Sequence, residues 1–172
     1  FTFGDARFLG SANTRALSAP VVGMAATPDG GGYWLVSSDG GIFSFGDAAF
    51  HGSAGAVPLA APVVGMAPTP DGGGYWLAGA DGGVFAFGDA PFDGALSEVG
   101  AQTPVQSIAA APDGAGYWLL DALGRVYGFG DALSNAAGAQ RVGPPNAAAG
   151  PWYTVIIGRP GGGYWLGGQT VG

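Results

Sequence analysis

Hydrophobic and polar positions along the chain form short apolar runs cut by Gly-rich polar turns. Val21-Val22-Gly23-Met24-Ala25-Ala26 ends at Thr27-Pro28-Asp29-Gly30, where Pro presets φ and Gly accepts a positive value. Gly32-Tyr33-Trp34-Leu35-Val36 follows, dense in aromatic and branched residues. Asp39-Gly40 separates it from the alternating run Ile42-Phe43-Ser44-Phe45, a hairpin signal. Gly46-Asp47 turns the chain again before Ala49-Phe50-His51-Gly52. The spacing predicts four antiparallel strands, A to D, with strand A innermost. Gly23, Gly65, Ser107 and Thr154 form one column of strand A, and Ala25, Ala67, Ala109 and Ile156 another. Mostly small residues there let neighbouring backbones approach.

This unit recurs. Phe-Gly-Asp-Ala begins at Phe3, Phe45, Phe87 and Phe129 in steps of 42, and Tyr-Trp-Leu at Tyr33, Tyr75, Tyr117 and Tyr164 in steps of 42, 42 and 47. A period near 40 residues, rich in strand formers and Gly turns, predicts an all-β propeller with one blade per repeat. Blades start near residues 20, 62, 104 and 151. Phe1-Thr2-Phe3-Gly4 aligns with Phe43-Ser44-Phe45-Gly46, so the chain opens inside a repeat; it closes with strand A over 152–158 and strand B over 164–168. The expectation is one domain, 1–172, forming a closed four-bladed ring. Residues 1–11 then complete the last blade, and no sheet edge stays free at the seam. A fragment of a longer array is the rival reading.

Composition narrows the partners. The chain has 172 residues, 36 of them Gly; 48% are hydrophobic and only 10% charged. Low charge with many Gly can mean disorder, but strict aromatic periodicity argues for a packed core. There is no Lys, and the net charge of −7 argues against nucleic acid and other polyanions. No apolar run is long enough to span a membrane, so membrane insertion is not expected. No secretory leader opens the sequence, which reads as a mature chain or an excised segment. With no Cys and one His, thiol catalysis and a Cys/His zinc site are excluded.

Recurring polar residues read as structural. Asp5, Asp47, Asp89 and Asp131 repeat in every unit, and Asp29, Asp71 and Asp113 in three, with Pro160 in the fourth. A calcium ring is the chemical alternative; turn-pinning carboxylates are favoured, because blade-building residues must repeat. Trp34, Trp76, Trp118 and Trp165 read as core between blades rather than sugar platforms, as does the Phe1/Phe43/Phe85/Tyr127 column. His51 shares a variable column with Leu9, Asp93 and Asn135 and reads as solvent-facing.

Irregular residues are the candidates for binding. A five-residue insertion (47 − 42) lies between Ala132 and Pro151 and carries Asn135, Gln140, Arg141 and Asn146. Trp152 and Tyr153 then replace the Val21-Val22 pair. Trp152 as a stacking face, with Tyr153, Arg141 and Asn146 as hydrogen-bonding groups, is one candidate pocket; a plugged seam in the last blade is the alternative. Asn13, Arg15 and Glu98 on rim loops, and Asp121 with Arg125 at an altered hairpin, complete the set. D-to-A loops and B-to-C turns share one end of a propeller. Asp121 and Arg125 are expected as an exposed ion pair. No Ser-His-Asp elbow or helix-opening Gly loop is present; Asp93, Glu98 and Asp121 are the irregular acids from which a glycosidase pair would have to come.

The pattern Pro-Asp-Gly-Gly-Gly-Tyr-Trp-Leu over 28–35, followed by Ser-Asp-Gly-Gly-Ile-Phe-Ser-Phe-Gly-Asp-Ala over 38–48, resembles a repeat of large secreted or surface proteins of high-GC Gram-positive bacteria, the actinobacterial type. More distantly it is similar to WD40 blades, with Phe-Gly-Asp in place of their Trp-Asp. The resemblance implies a propeller on the cell exterior, usually an accessory module within a longer protein, and supplies no catalytic residues. The expected function is therefore a non-catalytic extracellular binding module for glycan or a cell-surface component, needing no cofactor or metal. A structural module contacting another protein chain, and an accessory domain or glycosidase of a cell-wall enzyme, are the alternatives.

Overall fold

The computed structural model describes residues 2–14, 16–99 and 103–133, and the backbone of 141–142, 153–154, 157–159 and 163–165. Three three-stranded antiparallel sheets follow one another. Sheet 1 holds β1 (Val21–Ala26), β2 (Gly32–Ser37) and β3 (Ile42–Gly46); sheet 2 holds β4 (Val63–Pro68), β5 (Gly74–Gly79) and β6 (Val84–Gly88). Sheet 3 holds β7 (Val105–Ala110), β8 (Gly116–Asp121) and β9 (Val126–Gly130). Register repeats with the sequence: Trp34 pairs with Ala25 and Ser44, Trp76 with Ala67 and Ala86, Trp118 with Ala109 and Gly128. A bulge recurs in the first strand of each sheet, between Val21 and Gly23 in β1.

First strands are the innermost, as the small-residue columns predict. β1 lies against β4, and β4 against β7. A Cβ on Gly23 would lie 2.9 Å from Val36 and 3.7 Å from the Gly65 Cα, so a larger residue at this position would crowd its neighbours. Hairpins stitch the sheets together: the Ser38 carbonyl accepts from Val63 N–H, and the Ala80 carbonyl from Val105 N–H, both at 2.9 Å.

The apolar core sits between sheets rather than within any one of them. Trp34 and Val36 of sheet 1 pack with Val63, Met66, Tyr75 and Leu77 of sheet 2. Trp76 and Ala78 of sheet 2 pack with Val105, Ile108, Tyr117 and Leu119 of sheet 3. Strand alternation explains this: Tyr and Trp are adjacent on β2, β5 and β8, so they point to opposite faces, one toward each neighbouring sheet. The rings meet across the gaps, Trp34 with Tyr75 at 5.8 Å between centroids and Trp76 with Tyr117 at 5.4 Å.

The closed four-bladed ring with four strands per blade is not formed: three separate three-stranded sheets are present and none closes. Among the described residues, the predicted fourth strand is absent, and 49–52 runs as an irregular connector. Nor does the amino-terminal segment join a sheet; Gly4-Asp5 is a turn and Phe3 is exposed. The inner strand expected over 152–158 is divided between two other sheets. One pairs β10 (Arg141–Val142) with β11 (Tyr153–Thr154), and the other pairs β12 (Ile157–Arg159) with β13 (Gly163–Trp165).

Candidate functional site

The connectors between sheets explain both the missing fourth strand and the recurring Tyr-Trp pair. Trp34 Nε1 donates to the Ala49 carbonyl at 2.6 Å, and Trp76 Nε1 to the Pro91 carbonyl at 2.6 Å. From the other side, the Tyr75 hydroxyl accepts from His51 N–H at 3.1 Å and donates to the Gly52 carbonyl at 2.6 Å. Tyr117 repeats this on Asp93 N–H and the Gly94 carbonyl, and Tyr33 donates to the Gly10 carbonyl. Each connector thus has backbone groups satisfied by side chains of the sheets flanking it, which removes the need for a strand ladder. Gly52 takes φ +137°, and a Cβ there would lie 2.5 Å from the Phe87 ring, so the connector bends where only Gly fits.

On these connectors stand Phe8, Phe50 and Phe92, at 65%, 61% and 54% exposure. They occupy one column at 42-residue spacing, with Ser134 at the fourth position. Phe50 and Phe92 stand on segments fixed at both ends, since Ala54 N–H donates to the Gly40 carbonyl at 3.0 Å and Leu96 N–H to the Gly82 carbonyl at 2.9 Å, while the Phe8 segment is held by Tyr33 at Gly10. Buried columns recur because the fold needs them; an exposed aromatic column has no such reason. The column was readable as a 42-residue repeat, but strand-like composition at 49–52 hid its exposure.

His51, expected in solvent, is half-buried. Its Nε2 lies 3.0 Å from the Gly72 carbonyl, and its ring sits 5.5 Å from Tyr75 and 6.4 Å from Trp34. Asp93 fills the corresponding slot on the next connector. Its Oδ2 is buried with no hydrogen-bond partner. Burial pushes its pKa above the ordinary carboxylate value, and the nearby Asp131 charge adds to the shift.

Of the predicted site residues, the structure brings Asp121 and Arg125 together. Asp121 is 2% exposed and Arg125 lies at the surface, so the expected exposed pair is corrected to a half-buried one. Asp121 Oδ1 accepts from Leu123 N–H and Arg125 N–H, both at 2.9 Å. Its Oδ2 takes Arg125 Nε at 2.7 Å, Thr103 Oγ1 at 2.6 Å and Tyr127 Oη at 3.2 Å. Burial works to raise its pKa, but the Thr103 hydroxyl, the Arg125 amide and guanidinium and the Leu123 amide outweigh it and hold the pKa at about 2. In sheets 1 and 2 the same hairpin is pinned by Asp39 and Asp81, which accept from Gly41 and Gly83 N–H. The carboxylate has moved by two positions and kept its task. Glu98 is exposed on the 3-10 turn Leu96–Val99, and Asn13 is exposed on Ala12–Thr14, where it accepts from Ser11 Oγ. Arg15, Asn146 and Trp152 lie outside the described residues. Arg141 and Tyr153 are placed only as backbone, in register with Thr154 and Val142.

The recurring aspartates divide into two sets: Asp47 and Asp89 accept from the Thr27 and Thr69 hydroxyls twenty positions earlier, while the second set acts on its own turns. Asp29, Asp71 and Asp113 accept from Gly31, Gly73 and Ala115 N–H at 3.0–3.1 Å. For Asp71 the Gly73 amide, followed by the Thr69 hydroxyl, lowers the pKa. A cleft of about 200 Å³ lined by Thr69, Pro70, Asp71, Asp89, Asp113 and Gly114 separates two such turns. Among the described residues no group of three His or acidic side chains is arranged to hold a metal ion. No helix among them is long and apolar enough to cross a membrane. No protein-family model and no curated protein sequence matches the chain.

Proposed function

We propose that the chain is a non-catalytic extracellular binding module whose contact surface is the row Phe8, Phe50 and Phe92, and whose ligand is a neutral glycan of the cell surface. The exposed aromatic column carries this reading. An aromatic face packs on the C–H face of a pyranose ring, and a side chain held on a bolted connector loses little freedom on binding. Three platforms in one column suit a polymer, because individually weak contacts multiply when they are linked. A net charge of −7 disfavours anionic polysaccharides. The test is retention of the intact chain in gels cast with neutral polysaccharide, compared with the triple variant Phe8→Ala, Phe50→Ala, Phe92→Ala. Retention lost in the variant, with an unchanged thermal midpoint, supports the reading; equal mobility of the two proteins in every gel removes it.

A second reading, a structural module that contacts another protein chain, is favoured by a different observation: Val21, Val22 and Met24 are exposed together on β1. A pull-down that recovers partner polypeptides and ignores glycans would favour it.

A further inference from the structure

The position directly after the exposed Phe on each connector is half-buried, and Leu9, His51 and Asp93 fill it. What these side chains meet is backbone oxygen. A Cβ on Gly46 would lie 2.3 Å from the Gly31 carbonyl oxygen and 2.7 Å from Leu9 Cδ1. One on Gly130 would lie 2.3 Å from the Ala115 carbonyl oxygen and 2.6 Å from Asp93 Oδ2. His51 brings Nε2 to 3.0 Å from the Gly72 carbonyl; a carbonyl only accepts, so the ring nitrogen donates. Leu9 needs no partner there, and His51 supplies a donor to a place of acceptors. Asp93 does neither, because an ionised carboxylate only accepts. Its Oδ2 is buried with no hydrogen-bond partner. The Ala115 carbonyl takes Asp131 N–H at 2.9 Å and keeps a second lone pair.

We infer that Asp93 is an acid-operated latch on the Phe92 platform. With a proton taken from solvent, its carboxyl donates to the Ala115 carbonyl and holds the connector against sheet 3; ionised, it lets the connector loosen. The inference rests on the glycan reading above and adds a regulation to that site. Phe92 and Asp93 are adjacent, so loosening one frees the other, and ordering a freed Phe92 again on binding costs affinity. Three titratable groups surround Asp93. Asp131 stands on the 3-10 turn Asp131–Leu133. Glu98 Oε2 lies 4.0 Å from where a Gly94 Cβ would be. The Tyr117 hydroxyl accepts Asp93 N–H, and burial above all raises its pKa, so it stays protonated. Asp131 and Glu98 are acids, so a falling pH can only remove repulsion from Asp93. Burial, with the Asp131 charge second, raises the Asp93 pKa, which moves the latch toward neutral pH.

Amide hydrogen exchange of the intact chain, corrected for its intrinsic pH dependence, reads the latch with no ligand present. Protection over residues 91–96 should rise about fivefold as pH falls from about 7.5 to about 5, the worth of one net hydrogen bond. Asp93→Asn, whose amide donates at every pH, should show the protected level throughout. A native chain equally protected at both pH values, or the same rise in Asp93→Asn, overturns the inference. Binding is read by co-sedimentation with microcrystalline cellulose, an insoluble neutral glucan. Neither a Phe ring nor a neutral sugar titrates, so a pH dependence there reports the protein. The native chain should bind more tightly at the lower pH, and Asp93→Asn should bind alike at both. Binding that falls in Phe92→Ala yet is independent of pH in the native chain overturns the link from latch to platform and leaves the glycan reading standing. Exchange that switches with no binding to cellulose supports the latch, and the gel comparison above then decides the glycan reading by itself.

Discussion

The Tyr75 hydroxyl crosses from sheet 2 to the connector behind it and closes on Gly52, donating to its carbonyl at 2.6 Å while accepting His51 N–H at 3.1 Å. One phenol oxygen therefore satisfies two backbone groups that a strand partner would otherwise serve. Burial raises the Tyr75 pKa, so the hydroxyl stays neutral and able to donate through the physiological range.

Tyr75→Phe should cost about 1–3 kcal/mol, because it leaves a carbonyl and an amide in a confined place with no partner. Tyr33→Phe, on the half-buried first sheet, should cost less, since water reaches the Gly10 carbonyl. Urea unfolding of the two variants gives the comparison; equal losses would contradict the bolting role.

Trp76→Ala should cost about 3–5 kcal/mol through an emptied site between sheets 2 and 3. His51→Ala should cost about 1 kcal/mol, more than an exposed substitution, because it removes the contact with the Gly72 carbonyl and the ring against Tyr75. Thermal melts of both variants check the order and the gap.

Asp121→Asn should lower stability at neutral pH by about 2–3 kcal/mol, from a folded pKa of about 2 against an unfolded value near 3.9. The pKa is depressed on folding, so this stability is fully present above the unfolded value and is lost as pH falls toward 2. The gap between native and variant chains in urea midpoints should therefore narrow between about pH 4 and pH 2.

Asp93→Asn should do the reverse and raise the melting temperature at neutral pH. Burial raises the Asp93 pKa, with Asp131 adding to it, so the folded chain holds this proton to higher pH than the unfolded chain does. Ionisation then costs stability above the folded pKa, and the advantage of Asn should shrink as pH falls through it. A variant that melts lower than the native chain at neutral pH would contradict the burial of an unpaired carboxylate oxygen.

Strands A, B and C of the four expected per repeat, the Trp and Tyr columns and the small inner columns were legible because buried positions must recur at the repeat spacing. Turn-pinning by Asp29, Asp71 and Asp113 was legible from Pro-Asp-Gly chemistry. The connector was not. Residues 49–52 carry a strand-like composition, and what diverts them are bonds from Trp34 and Tyr75, distant in sequence and visible only once the sheets are side by side. Asp121 misled for a related reason: a charged residue in an irregular hairpin reads as surface, and its buried carboxylate is satisfied in part by Thr103, eighteen positions earlier. His51 shared a variable column with Leu9 and Asp93, and variability there reflects different ways of filling one slot rather than access to water.

Because the core lies between sheets, the stretch of chain that is copied is not the body that packs. Inserting another 42-residue unit adds one complete apolar junction and one new pair of bolts, and creates no further end face. Lengthening such a chain by gene duplication therefore carries no added burden of exposed apolar surface, and shortening it by one unit uncovers none. Copy number can drift under selection for reach alone.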